Sequence, residues 1–284
     1  MYSTTLRRIA PVAMVAALSV GLAACDIAVD GHGGLGIELA SGRAQDQWTR
    51  SYKIARDGRL EIINVNGRIT ADAADGNTIE IVAERTVKAM SDDRAREMLG
   101  QIEMREEVGD ERVRVEVRAP RFRGGSNQEI KWTIKVPKGV SVDLRTVNGG
   151  VRLNGIDGEV RARSTNGGIV GAGLIASTVD AAVTNGGVEI ELAKAVSEGA
   201  IDLESVNGGV SLSLPPDSKA DVNARCVNGG ISINDLALEA TGEQTRRRFS
   251  GKLNGGGVRV SMETVNGGVK IGRFEGRSAA TTDH

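Results

Sequence analysis

The chain has 284 residues, 40% of them hydrophobic and 26% charged, an ordinary globular balance that excludes wholesale disorder. Its 36 basic and 37 acidic side chains leave a formal net charge of -1, so no overall field draws it to nucleic acid or to an acidic surface. Glycine reaches 38 residues against 5 prolines while aromatics stay at 2%, which points to turns repeated between strands and leaves little material for stacking on sugar rings.

At the amino terminus Arg7 and Arg8 precede an apolar run, Ile9 to Leu22, that is too short for a comfortable transmembrane span. Residues 1–24 therefore read as a signal peptide. The run ends in Leu22-Ala23-Ala24-Cys25, which resembles the lipobox of bacterial lipoproteins: small residues fit the peptidase, and the thiol accepts diacylglycerol. The resemblance implies lipidation at Cys25, and two or more acyl chains hold a protein on a membrane without a spanning helix. Ordinary secretion is the alternative. Asp26 follows the cysteine, and in proteins resembling enteric lipoproteins an aspartate there implies the periplasmic face of the inner membrane, with the outer membrane as the other location. Residues 25–50 show little strand or helix patterning and are expected to form a lipidated tether. His32 lies in that stretch, and with His284 as the other histidine it reads as a solvated loop residue and not as a metal ligand.

The next segment reads as strand, turn and strand: Leu60 to Val65, Asn66-Gly67, then Arg68 to Thr70. A further strand is predicted over Thr78 to Val87. Ser91 is a good N-cap, Asp92 and Asp93 suit the positive end of a helix dipole, and Ala95, Met98 and Leu99 have helical spacing, so one short helix is predicted up to Gly100. Strands are then expected at Gln101 to Glu107 and Arg112 to Arg118. The arginines of Arg118 to Arg123, interrupted by Phe122, are balanced by Glu106, Glu107, Asp110 and Glu111 and read as a solvated loop.

From Ile130 onward an Asn-Gly-Gly phrase recurs, with its asparagines at Asn148, Asn166, Asn185, Asn207, Asn228 and Asn266 and a degenerate copy at Asn254. The first five lie 18, 19, 22 and 21 residues apart, a period of about 20 that marks stacked supersecondary units. Before each turn, small or aliphatic residues alternate with charged ones, as in Val160/Ala162/Ser164 against Arg161/Arg163. The pattern predicts an all-β parallel β-solenoid with one short helix near its N-terminal end, over residues 51–275, followed by a flexible tail at 276–284. An antiparallel β-meander, with Asn-Gly as hairpin turns, is the alternative. Counting by twos places the turn asparagines inward as a hydrogen-bonded ladder. The inserted stretch Leu236 to Arg248 is expected as a loop available to a partner, its Arg246-Arg247-Arg248 run solvated. Cys226 reads as a small buried apolar residue.

Asn66-Gly67, the helix at Ser91, the Val-Pro-Lys-Gly-Val run at Val136 to Val140 and the Asn-Gly-Gly repeats together resemble the bacterial putative-adhesin β-strand-repeat family. The resemblance covers roughly Tyr52 to Phe274. It implies a β-helical fold in the cell envelope and brings no catalytic residues with it.

β-Helices also carry polysaccharide-active enzymes, which cluster carboxylates or arginines on one outward face. The outward column here reads Arg145, Arg163, Ala182, Glu204, Arg225, with mixed signs, and Arg225 beside Glu204 is expected as a surface pair. No cofactor, metal, small-molecule substrate or nucleic acid is expected. The favoured reading is a non-catalytic structural or adhesin-like interaction module meeting an envelope protein or polymer, with a polysaccharide-active enzyme as the alternative.

Overall fold

Strands that alternate small apolar with charged residues bury one face only, and two such sheets closed over each other hide that face in a narrow core. The computed structural model describes residues 42–120, 127–242 and 244–275, and these form a β-solenoid whose repeating unit is one strand in each of two sheets.

The amino-terminal part contains β1 (Gly42–Lys53), β2 (Arg59–Ile63), β3 (Ile69–Ala74), β4 (Thr78–Ala89), α1 (Asp92–Gly100), β5 (Glu103–Val108), β6 (Arg112–Arg118) and β7 (Asn127–Pro137). The Asn-Gly-Gly rungs follow as β8 (Ser141–Asn148) with β9 (Val151–Asn154), β10 (Val160–Asn166) with β11 (Ile169–Leu174), β12 (Thr178–Asn185) with β13 (Val188–Leu192), and β14 (Ala200–Asn207) with β15 (Val210–Leu214). The remaining strands are β16 (Ala220–Asn228), β17 (Ile231–Asn234), β18 (Leu238–Ala240), β19 (Arg248–Leu253), β20 (Val258–Asn266) and β21 (Val269–Arg273).

Neighbouring rungs pair in parallel and in register, for example Val160 beside Val179 and Asn166 beside Asn185. The meander alternative is thereby set aside: its Asn-Gly turns would join antiparallel neighbours, whereas here each turn carries the chain from one sheet to the other. Columns such as Leu144, Ala162, Ala181, Leu203, Met262 and Ala224 are fully or nearly fully buried, and Cys226 extends one of these inward faces.

Chain order and spatial order part company at both ends. One sheet runs β19-β16-β20-β14-β12-β10-β8-β2-β6, so the last rung, β20 with β21, lies between β14/β15 and β16/β17. Likewise β2/β3 sits between β6/β7 and β8/β9. A spacing read along the sequence does not reveal this, because a rung of normal length fits either neighbour.

Antiparallel strands close the ends. At the amino-terminal end β4 pairs with β7 and β1 with β4, while β5 pairs with β6. The α1 helix lies against β1 and β4, capped by the Ser91 hydroxyl accepting from the Arg94 amide at 3.3 Å, with Ala95, Met98 and Leu99 buried. Tyr52 donates to Glu106 at 2.5 Å, and burial, with that carboxylate's help, pushes its phenol well above the ordinary range.

Two expectations need correction here. Residues 42–50, assigned to the tether, are strand: β1 pairs with β4 along its whole length because Ala44 and Tyr52 reach the core. The stretch Leu236 to Arg248 is no free loop, since β18 and β19 cover the edge of β16, and the Arg247 and Arg246 carbonyls accept from the Cys226 and Ile231 amides at 3.0 and 3.2 Å. Residues 1–41 and 276–284, and with them Cys25, Asp26, His32 and His284, lie outside the described residues, as do Arg121, Phe122 and Arg123.

Candidate interaction surface

The repeated corner is the most regular surface of the molecule. Along each strand, alternation holds up to the residue two before the asparagine and then stops. In β10, Ser164 is the last inward side chain, and both Thr165 and Asn166 are exposed. The asparagines are therefore outward, which corrects the inward expectation: counting by twos fails at a corner, where the backbone turns and places two successive side chains on the convex side.

The asparagines stack nonetheless. Each Nδ2 donates to the Oδ1 of the neighbour below: Asn148 to Asn66, Asn166 to Asn148, Asn185 to Asn166, Asn207 to Asn185, Asn266 to Asn207 and Asn228 to Asn266, all at 2.7–2.8 Å. Asn66 joins the six asparagines of the repeat, and Asn266 precedes Asn228 because of the rung order. Beneath this outer ladder, backbone amides of the corner glycines donate to asparagine carbonyls of the next rung, as in Gly167 to Asn185 at 2.9 Å. An inner hydroxyl set completes the corner: Ser164, Ser205 and Thr264 donate to the Gly149, Gly186 and Gly208 carbonyls at 2.7–2.9 Å. Hydroxyls at inward positions satisfy carbonyls that would otherwise be buried without a partner.

A single break in the ladder tests its worth. Asn185→Ala removes two amide bonds on an exposed face and should lower unfolding stability by about 1–2 kcal/mol in urea titration. A change within error would mean the ladder is a passive consequence of stacking.

Beside the ladder runs a ridge of exposed β-branched residues, Val65, Val147, Thr165, Thr184, Val206, Val265 and Val227 in spatial order, of which the valines are 38–48% exposed. Two residues before the ridge stands a column that reads Arg145, Arg163, Ala182, Glu204, Glu263, Arg225. Ridge and column border a shallow groove of about 540 Å³. The expected Arg225–Glu204 pair is not formed, because β20 intervenes: Glu204 neighbours Glu263, and Arg225 neighbours Glu263 on its far side. At the other end Arg163 pairs with Asp180 at 2.5 Å and Arg145 with the buried Asp143 at 2.7 Å. That hydrogen bond to Asp143 raises the Arg145 guanidinium's pKa against the opposing pull of burial.

Chemically this face offers amides, methyl groups and unlike charges at a fixed repeat. Glu204 and Glu263 are the two carboxylates that line this groove, yet they stand on an open face whose lining holds no aromatic side chain. The rung order that joins them could not be seen in the spacing of the asparagines.

Comparisons with known proteins bear on the same rungs. Residues 99–272 match the family model described as Toastrack DUF4097, which spans the chain from the end of α1 to β21. No curated protein matches. Among solved structures, a putative cell adhesion protein from Clostridium sporogenes is similar at 13% identity over 81% of this chain and 100% of that one, with a TM-score of 0.42. A putative adhesin from Bacteroides fragilis shares 12% identity over 80% of this chain and 97% of that one, with a TM-score of 0.34. A putative lipid binding protein from Parabacteroides distasonis shares 10% identity over 81% and 97%, with a TM-score of 0.25. Likeness at these scores carries no argument about function.

Proposed function

Because the chain belongs to the Toastrack DUF4097 family, we propose that it is a non-catalytic interaction module of the cell envelope, held on a membrane through lipidated Cys25. The observation that carries this reading is the corner face. Seven rungs repeat the same outward asparagine beside an exposed β-branched ridge, which offers an extended partner one chemistry many times over and gives a small substrate no enclosed place. The rigidity of the corner supports it as well, since each rung is tied to the next through side chain and backbone together.

The anchor follows from residues 1–25: a positive start, an apolar run of signal-peptide length and Leu22-Ala23-Ala24-Cys25. Asp26 favours the periplasmic face of the inner membrane, the outer membrane being the alternative. With β1 beginning at Gly42, the stretch between anchor and solenoid is residues 25–41, which can reach at most about 60 Å. The partner is an envelope protein or polymer within reach of the tether and the solenoid it carries.

Intact mass and membrane fractionation of the wild type beside Cys25→Ala test the anchor. The wild type should carry the mass of at least two acyl chains and sediment with membranes, and the variant should be unprocessed or unlipidated. Equal mass shifts and equal partitioning of the two would remove the lipid anchor and leave a secreted module.

A further inference from the structure

We propose that the corner face is a self-complementary interface through which two copies of this chain pair with their solenoid axes antiparallel. The inference rests on the interaction-module reading and names its partner.

The order of the rungs in space sets the pattern of this face. The amide ladder has seven members from Asn66 to Asn228, and its middle member is Asn185 on β12. About that strand the charge column is antisymmetric over the five central rungs, Arg145, Arg163, Ala182, Glu204 and Glu263, beyond which stand Ile63 at one end and Arg225 at the other. Chain order hides this pattern, because Glu263 enters the column only through the insertion of β20 between β14 and β16.

Two flat faces related by a two-fold axis must have that axis in the plane of contact. An axis along the solenoid would set Arg163 against Arg163 and Glu204 against Glu204. An axis along β12 reverses one stack against the other, so Arg163 meets the second copy's Glu204 and Arg145 meets its Glu263, twice each. In the same arrangement Val147 faces Val265, Thr165 faces Val206, and Thr184 lies on the axis against itself. The apolar ridge is then covered along its length by an identical ridge.

The monomer carries a matching deficiency. Glu204 and Glu263 are cross-strand neighbours of like charge, an arrangement that costs stability in an isolated sheet. Neither makes an ion pair among the described residues. The arginines at the other end keep further N–H donors beyond those used on Asp143 and Asp180, and their side chains remain 48% and 39% exposed. Arg225 stands on the far side of Glu263 without an ion pair to it, and Glu204 has no arginine on either neighbouring strand at its own position; pairing with a second copy gives both carboxylates an arginine and needs no other molecule.

Rungs about 4.8 Å apart make the seven-membered strip about 29 Å long. A strip one ridge wide is narrower than the roughly 800 Å² per partner of a standard interface, so the pair is weak in free solution and is best read by trapping.

Single cysteines in the full chain, oxidised in the membranes of producing cells with the parent protein as control for Cys25 and Cys226, provide the test. Thr184→Cys should cross-link to itself. Val147→Cys and Val265→Cys should not cross-link when produced singly, and should cross-link to each other when produced together. Adding Glu204→Lys with Glu263→Lys should lower the Thr184→Cys yield at least about tenfold, because both then face arginines. All these positions are exposed, so folding is not at risk, and far-ultraviolet dichroism of each variant checks it. Self-cross-linking at Val147 and Val265 would mean parallel axes and overturn the proposal, as would any pattern without the Thr184 cross-link or a charge-reversed pair that cross-links undiminished. If cross-linking fails while the protein stays membrane-bound, the dimer is lost and the interaction-module reading stands.

Discussion

Gly167→Ala should destabilise the protein by at least about 3 kcal/mol, whereas Gly168→Ala, one residue on, should cost about 1 kcal/mol. The difference is one of space. Gly167 has φ +139, and a Cβ there would stand 2.4 Å from the Gly149 carbonyl oxygen and 2.5 Å from its carbon. Neither backbone can retreat, because the Gly149 amide is bonded to the Asn166 carbonyl at 2.8 Å and the Gly167 amide to Asn185 at 2.9 Å. At Gly168 the nearest atom is the Gly187 carbonyl oxygen at 3.2 Å, which a small shift relieves. Gly173 separates clash from backbone strain, since it has φ +60 with nothing within 4 Å, so alanine there should cost only about 1–2 kcal/mol. Urea unfolding of the three variants makes the comparison. Equal stability of Gly167→Ala and Gly168→Ala would mean that rungs are not this close at the corner.

The second large effect comes from rung order. Val260→Asp should cost about 4 kcal/mol or more, and Ile233→Asp less than half of that. Val260 is 0% exposed and β20 has a rung on each side, so a carboxylate there is buried without a counter-ion. Ile233 belongs to β17, the outer strand of its sheet, and is only half-buried. Native-state hydrogen exchange reads the same asymmetry without mutation. Amides of β20, close to the end of the chain, should exchange only through global unfolding, while β17 exchanges through local opening. If β20 exchanged as fast as β17, the last rung would be terminal after all.

What could be read from the sequence, and what could not, follows from which interactions are periodic. The inward columns and the parallel stack are legible because every rung repeats small apolar residues two apart, and the capped helix because Ser91, Asp92 and Asp93 act locally. The direction of the asparagine side chains is not legible, since a period of two says nothing once the chain bends. The placing of Glu263 is illegible for a different reason. Its neighbours are chosen by which rung closes the gap between β14 and β16, a decision made by packing across 59 residues on one side and 38 on the other, with no local signal. The strand at Gly42–Lys53 was hidden because its sequence, rich in charged and polar residues, buries only Ala44, Tyr52 and the glycine where β1 meets α1.

The asparagine ladder also has a direction. Every amide group donates the same way along it, so seven side-chain dipoles point head to tail, with an N–H₂ group left over at Asn66 and a carbonyl oxygen left over at Asn228. Reversing one amide would cost bonds on both sides, so the row behaves as a single unit that polarises along its length. The solenoid is therefore electrically polar along one edge although its net charge is -1, with one end that seeks acceptors and another that seeks donors.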